Sequence, residues 1–160
     1  MEKQIQEVER EIIDTFASIS QSLGYSEVHG KIIAALIVSD GPISLEELAK
    51  KTRYSIGMIS LSLDLLEVIG MIKRIKKPQD RKLYVKFEGD LVESIKTAIM
   101  LKIKKGISDV DENFRRHEEE VEKIKTEEGK KLLKNLQRLE KVTKRMQEYI
   151  SGLNKVKIPE

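Results

Sequence analysis

Apolar residues recur at every third or fourth position along both ends of this chain, and the spacing breaks up between Ser26 and Glu88. A stripe of that period on a polar background dictates an amphipathic helix with one face to bury. The first stripe runs through Ile5, Val8, Ile12, Phe16, Ile19 and Leu23, and Gly24 is placed to end it. Its other faces carry Glu2, Lys3, Glu7, Glu9, Arg10, Glu11 and Asp14, so the stripe needs a partner, either the following domain or another chain. From Asp90, a candidate cap, helical spacing resumes through Val92, Ile95, Ile99, Ile103, Ile107, Val110 and Phe114, then Val121 and Ile124. A break is expected at Thr126-Glu127-Glu128-Gly129, after which Leu132, Leu136, Leu139, Val142 or Thr143, Met146, Tyr149 or Ile150, and Leu153 continue a heptad-like seam. The pattern reads as antiparallel helices or a coiled coil. Gly106 and Gly129 each cost a helix interior about 1 kcal/mol, so either is a candidate bend.

The middle of the chain is written in shorter elements. A helix through Val28, Ile32, Ala35, Leu36 and Val38 stops at Asp40-Gly41-Pro42, because proline disfavours helix in the residue before it. Ser44 and Glu47 then form a capping box that opens a helix from Leu45 to about Thr52, burying Leu48 and Ala49. A second cap, Ser55, starts a helix with Ile59, Leu63 and Leu66 inward, and Gly70 closes it. Residues Met71 to Lys77 and Lys82 to Phe87 read as two strands around the turn Pro78-Gln79-Asp80-Arg81. The expected fold is mainly α with a small β-hairpin wing: a winged helix-turn-helix over residues 25–89, flanked by long dimerisation helices at 1–24 and 90–160.

Composition narrows the chemistry. With no Cys there are no disulfides, thiolate metal sites or Cys nucleophiles. The polar N-terminus holds no apolar signal core, and no stretch approaches the roughly 18 apolar residues of a membrane span, so a soluble, cytoplasmic protein is expected. Of two histidines, His29 precedes an apolar helix face and His117 lies in Arg115-Arg116-His117-Glu118-Glu119-Glu120, a solvated charged run. Neither joins a catalytic or metal-binding set, and there is no Gly-rich phosphate loop, so no enzyme activity, metal or cofactor is expected. The formal net charge of +3 is segregated: Lys50 to Lys86 carries +7 and the remainder −4. A basic segment on an otherwise acidic chain is the electrostatic footprint of a polyanion-binding surface.

Three fragments and a turn occur in a telling order: Ile43-Ser44-Leu45-Glu46-Glu47-Leu48-Ala49, Tyr54-Ser55-Ile56-Gly57-Met58-Ile59-Ser60, Leu66-Glu67-Val68-Ile69-Gly70-Met71-Ile72, and Asp80-Arg81-Lys82. Together they resemble the winged-helix transcriptional regulators of the MarR superfamily, most closely the GbsR-type branch. The resemblance covers about 65 residues in the middle of the chain. It implies a homodimeric regulator of double-stranded DNA, expected to be a repressor, that dimerises through its terminal helices.

The candidate DNA-binding residues follow. Ser55, Gly57 and Ser60 let the recognition helix approach base edges, while Met58 and Leu61 are placed for thymine methyls. No Arg, Asn or Gln lies between Ser55 and Glu67, so readout leans on apolar contacts, water and DNA shape. Lys76, Lys77, Arg81 and Lys82 suit phosphates or the minor groove, with Arg81 the groove reader implied by the resemblance and Asp80 orienting it. Ser44, Lys51 and Arg53 complete the set. A dimer would read two half-sites about 34 Å apart, and its candidate interface comprises Ile5, Ile12, Phe16, Ile19, Ile99, Ile103, Leu132, Leu136, Leu139 and Met146.

The resemblance also implies a small-molecule effector, with choline or betaine the ligands associated with the branch. Quaternary ammonium recognition wants an aromatic cage. The seven aromatic residues here are scattered and include no Trp, so that ligand is not carried over. The alternative from another class is a protein-interaction winged helix or a coiled-coil scaffold.

Overall fold

The computed structural model describes residues 2–159. Nine elements follow in order: α1 (Glu2–Ser22), α2 (Glu27–Ile37), β1 (Ile43–Ser44), α3 (Leu45–Thr52), α4 (Ile56–Val68), β2 (Ile72–Lys76), β3 (Leu83–Phe87), α5 (Leu91–Val121) and α6 (Glu127–Asn154). The fold is a mainly helical winged helix with a three-stranded antiparallel sheet in the order β1-β3-β2. The chain divides into two compact units, one up to Ile95 and one from Lys96, with α5 running across the division.

In the first unit the core gathers where α2, α3, α4 and the sheet converge. Ile32, Leu48, Ile59, Leu63, Leu66 and Val85 are essentially inaccessible, each stabilising the fold by about 1.5–3 kcal/mol relative to exposure. Leu48 meets the expectation for α3, while Ala49 is only half-buried. Val85 sits on the middle strand, opposite Ile43 of β1 and Arg74 of β2. The helix α4 ends at Gly70, whose φ of 77° supplies the left-handed residue a helix C-terminus uses. Its amide donates to the Glu67 carbonyl and the Met71 amide to the Leu66 carbonyl, so the chain turns directly into β2.

α1 corrects the simple reading of its stripe. It buries Ile13, Ala17 and Ser20, a neighbouring face, against α2. Gly30 makes that approach possible: a Cβ there would lie 2.1 Å from the Phe16 carbonyl oxygen. Of the expected stripe, Ile12, Phe16 and Leu23 are half-buried, while Ile5, Val8 and Ile19 stay exposed.

The second unit is a helical hairpin. Thr126 caps α6 by accepting from the Gly129 amide, so the break falls between Val121 and Glu127 with Gly129 in the first turn after it, whereas Gly106 continues inside α5 without one. The Thr143 hydroxyl reaches Asp111 at 3.4 Å and the Lys96 amine reaches the Val156 carbonyl at 2.8 Å, which sets the two helices antiparallel. Ile150 is buried, Ile103, Ile107, Leu133, Leu136 and Thr143 are half-buried, and Ile99 at the start of the unit is half-buried too. A second apolar line on α6 faces solvent: Leu132, Leu139, Val142, Met146, Tyr149 and Leu153.

Candidate nucleic-acid interface

The surface is built around the start of α4. Ser55 takes extended backbone as N-cap, and its hydroxyl accepts from the Met58 amide at 3.2 Å. The residue before it is fixed from below. The Tyr54 hydroxyl donates to the Glu27 carboxylate of α2, and burial, then this bond, pushes its pKa up to about 12, so it stays a donor throughout the physiological range. The Lys31 amine lies 5.7 Å from the Tyr54 ring centre and pairs with Asp14 of α1 at 3.2 Å. The N-terminus of α4 therefore rests on a chain of contacts through α2 to α1.

Beyond Ser55 the exposed side of α4 is short of polar groups. Gly57 and Ser60 are exposed and have the small size that close approach to a duplex requires. Around them stand Ile56, Met58 and Leu61, and Leu61 is 77% exposed. Ile56 is a residue that the sequence reading left out; its place in the first turn, outside the Ile59/Leu63/Leu66 inner face, was the available signal.

The wing is ordered at its tip. Pro78 and Gln79 occupy the centre of a turn closed by the Asp80 amide on the Lys77 carbonyl at 3.2 Å, with Gln79 at φ 72°. One Asp80 oxygen accepts from the Lys82 amide at 2.9 Å, and the other from the Tyr84 hydroxyl at 2.8 Å. The first of these bonds, followed by the second, holds the Asp80 carboxyl below the usual range, and the same Asp80 bond raises Tyr84. Lys77 lays its amine 3.8 Å from the Tyr84 ring centre. Lys82 reaches Glu46 at 3.8 Å, tying the wing to α3. Glu46 is held below the ordinary carboxylate range mainly by its backbone hydrogen bond at the helix start, then by Ser44 and Lys82. Lys76 and Arg81 are exposed and pair with no carboxylate among the described residues.

Three of the expected residues are placed apart from this surface or at its margin. Ser44 is 5% exposed, and its hydroxyl and amide are both committed to Glu47 in the capping box, so it holds α3 in place instead of facing a ligand. Lys51 turns to α1, where it pairs with Glu9 at 3.1 Å. Arg53 is exposed in the left-handed C-cap of α3, two residues before Ser55. Reading the sequence also missed β1 and the ionic link of Arg74 to Asp64 and Glu67 of α4. The signal for that link was α4, with two acids and no base, beside a strand with an Arg.

Among the described residues, no three of His, Cys, Asp or Glu stand close enough together to hold a metal ion, and no helix is long and apolar enough to cross a membrane.

Comparison with known proteins gives this surface a setting. A crystal structure of a transcriptional regulator superposes with a TM-score of 0.63 at 18% identity, covering 90% of this chain and 93% of that one. A MepR variant of S. aureus bound to an oligodeoxyribonucleotide gives 0.42 at 16% identity, covering 92% and 96%. AbsC of Streptomyces coelicolor, a MarR family transcriptional regulator, gives 0.42 at 20% identity, covering 94% and 91%. No curated protein matches the chain by sequence. The first superposition establishes the fold. Residues 35–84, which run from the end of α2 to the wing, match the MarR family.

Proposed function

We propose that the protein is a homodimeric, sequence-specific double-stranded DNA-binding transcriptional regulator of the MarR family, acting as a repressor. The order of the α3, α4 and wing motifs is closest to the GbsR-type branch. The observation that carries the reading is the pairing of two features: an N-capped helix with an exposed Ser55, Gly57 and Ser60, and a wing whose Lys76 and Arg81 are uncompensated. In this reading α4 enters the major groove, with Met58 and Leu61 against thymine methyls, while Lys76, Lys77, Arg81, Lys82 and Arg53 take phosphates or the minor groove. Lys76 and Arg81 meet no carboxylate among the described residues, and a polyanion at the wing would neutralise them.

Dimerisation is supported by two apolar lines left facing solvent. On α1 these are Ile5, Val8 and Ile19; on α6 they are Leu132, Leu139, Val142, Met146, Tyr149 and Leu153, at steps of seven, three, four, three and four residues. Steps of that kind form the seam of a helix pair. A small-molecule effector belongs to the family reading, and the scattered aromatic residues argue against a quaternary ammonium.

One observation favours a second reading, a protein-interaction winged helix. The exposed side of α4 carries Ile56, Met58, Leu61 and Val68 and no Arg, Asn or Gln. Such a face equally suits an apolar groove on a protein partner.

Selection from a random duplex pool on the immobilised protein separates the two. The DNA reading expects enrichment of an inverted repeat whose halves are about 10 base pairs apart, one helical turn. A pool that stays random after repeated rounds rejects sequence-specific binding and leaves the protein partner.

A further inference from the structure

We propose that Arg74 is a positioning residue that acts through α4: it neutralises the two acids of that helix, so that α4 approaches DNA without their repulsion. The inference rests on the DNA-binding reading above and assigns a role to a residue outside the proposed contact set.

The problem it solves is visible in α4 itself. Its thirteen residues contain two ionic groups, Asp64 and Glu67, both negative. Neither is buried: the Asp64 side chain is 72% exposed and that of Glu67 43%. Double-stranded DNA presents about one negative charge per 1.7 Å of axis, so an acidic recognition helix is repelled by the groove it must enter. Uncompensated like charges across an interface cost enough to suppress binding.

Arg74 meets both acids. One Nη of its guanidinium pairs with an Asp64 oxygen, and its Nε stands 3.5 Å from a Glu67 oxygen. The strand geometry delivers it there. Side chains two apart on β2 share a face, and Ile72, two residues earlier, is buried in the core that α4 covers. Arg74 follows on that face, more than half covered, while Lys73 next to it turns to Glu88. The guanidinium spreads its charge over its nitrogens, so it hydrogen-bonds Asp64 and still lies close enough to Glu67 for a charge contact, with no hydrogen bond from Nε. Exposed ion pairs contribute little to fold stability, so the effect of this one falls on the charge of the surface.

The test is fluorescence anisotropy with a mixed-sequence duplex at several salt concentrations. Arg74→Ala is expected to weaken binding about tenfold or more. Adding Asp64→Asn and Glu67→Gln to it removes the acids that Arg74 served, and affinity is expected to return to within about threefold of wild type with an unchanged salt slope. A triple variant as weak as Arg74→Ala, with a slope flatter by about one, assigns Arg74 to a direct phosphate contact and overturns the inference. Arg74→Ala that binds like wild type overturns it as well. If Arg74→Ala does not fold, Asp64→Asn with Glu67→Gln in the wild-type chain decides: binding as tight or tighter supports neutralisation, and weaker binding contradicts it. Wild-type protein that binds no duplex at low salt overturns the DNA reading and this inference with it, whereas wild type that binds without these responses overturns the inference alone.

Discussion

Asp80 fastens the tip of the wing to Tyr84: its carboxylate accepts the tyrosine hydroxyl at 2.8 Å while its other oxygen accepts the Lys82 amide at 2.9 Å. The turn is thus closed by side chain as well as backbone, and Arg81 is presented from a fixed loop. Because these bonds, the Lys82 amide first, depress the Asp80 carboxyl in the folded state, they stabilise the wing above the unfolded pKa of about 3.9 and are lost as pH falls through the lower folded value. In NMR the Lys82 amide is expected to titrate with a midpoint below that of an ordinary aspartate, and the step to vanish in Asp80→Ala. A Lys82 amide insensitive to acid would show the turn to be held by other means.

Two glycines separate packing from access. At Gly30 a Cβ would lie 2.1 Å from the Phe16 carbonyl oxygen and 2.6 Å from its carbon, and neither backbone atom can step aside without moving α1 off α2. Gly30→Ala is expected to cost about 3 kcal/mol, read by thermal denaturation. At Gly57 a Cβ meets nothing within 4 Å. Gly57→Ala is expected to gain about 0.5–1 kcal/mol of stability from helix propensity while weakening DNA binding, because its methyl stands on the face that approaches the bases. Tighter binding on a stabilised fold would place that face away from the duplex.

The solvent-facing seam on α6 gives a prediction for assembly. Leu139→Lys with Met146→Lys changes two exposed positions and no core contact, so helicity and melting of the isolated chain are expected to persist. Light scattering is expected to show monomers and DNA affinity to fall sharply, since each chain then reads one half-site. An unchanged dimer would move the interface to other residues.

The parts that were legible before any coordinates are those whose cause is local. The caps Ser44, Ser55 and Asp90 and the stop at Gly70 each depend on neighbours a few residues away, and each stands where its pattern placed it. The register of α1 was not legible, because its buried face joins Ile13 to the small Ala17 and Ser20, and the helix approaches closely at Gly30, where hydropathy gives no signal. A two-residue strand has no period, so β1 emerges only from its pairing of Ile43 with Val85. The same holds for the candidate surface: Ser55, Gly57 and Ser60 could be named from spacing, whereas the burial of Ser44, the turn of Lys51 to Glu9 and the bridge from Arg74 to α4 are consequences of tertiary packing.

The central claim is that the wing tip contacts DNA phosphates. It is tested most directly by the salt dependence of anisotropy on a mixed-sequence duplex, comparing wild type with Lys76→Ala plus Arg81→Ala. The logarithm of affinity is expected to fall steeply with the logarithm of salt in the wild type, and the double variant to bind more weakly with a slope reduced by about two. Equal slopes for the two proteins would contradict the account.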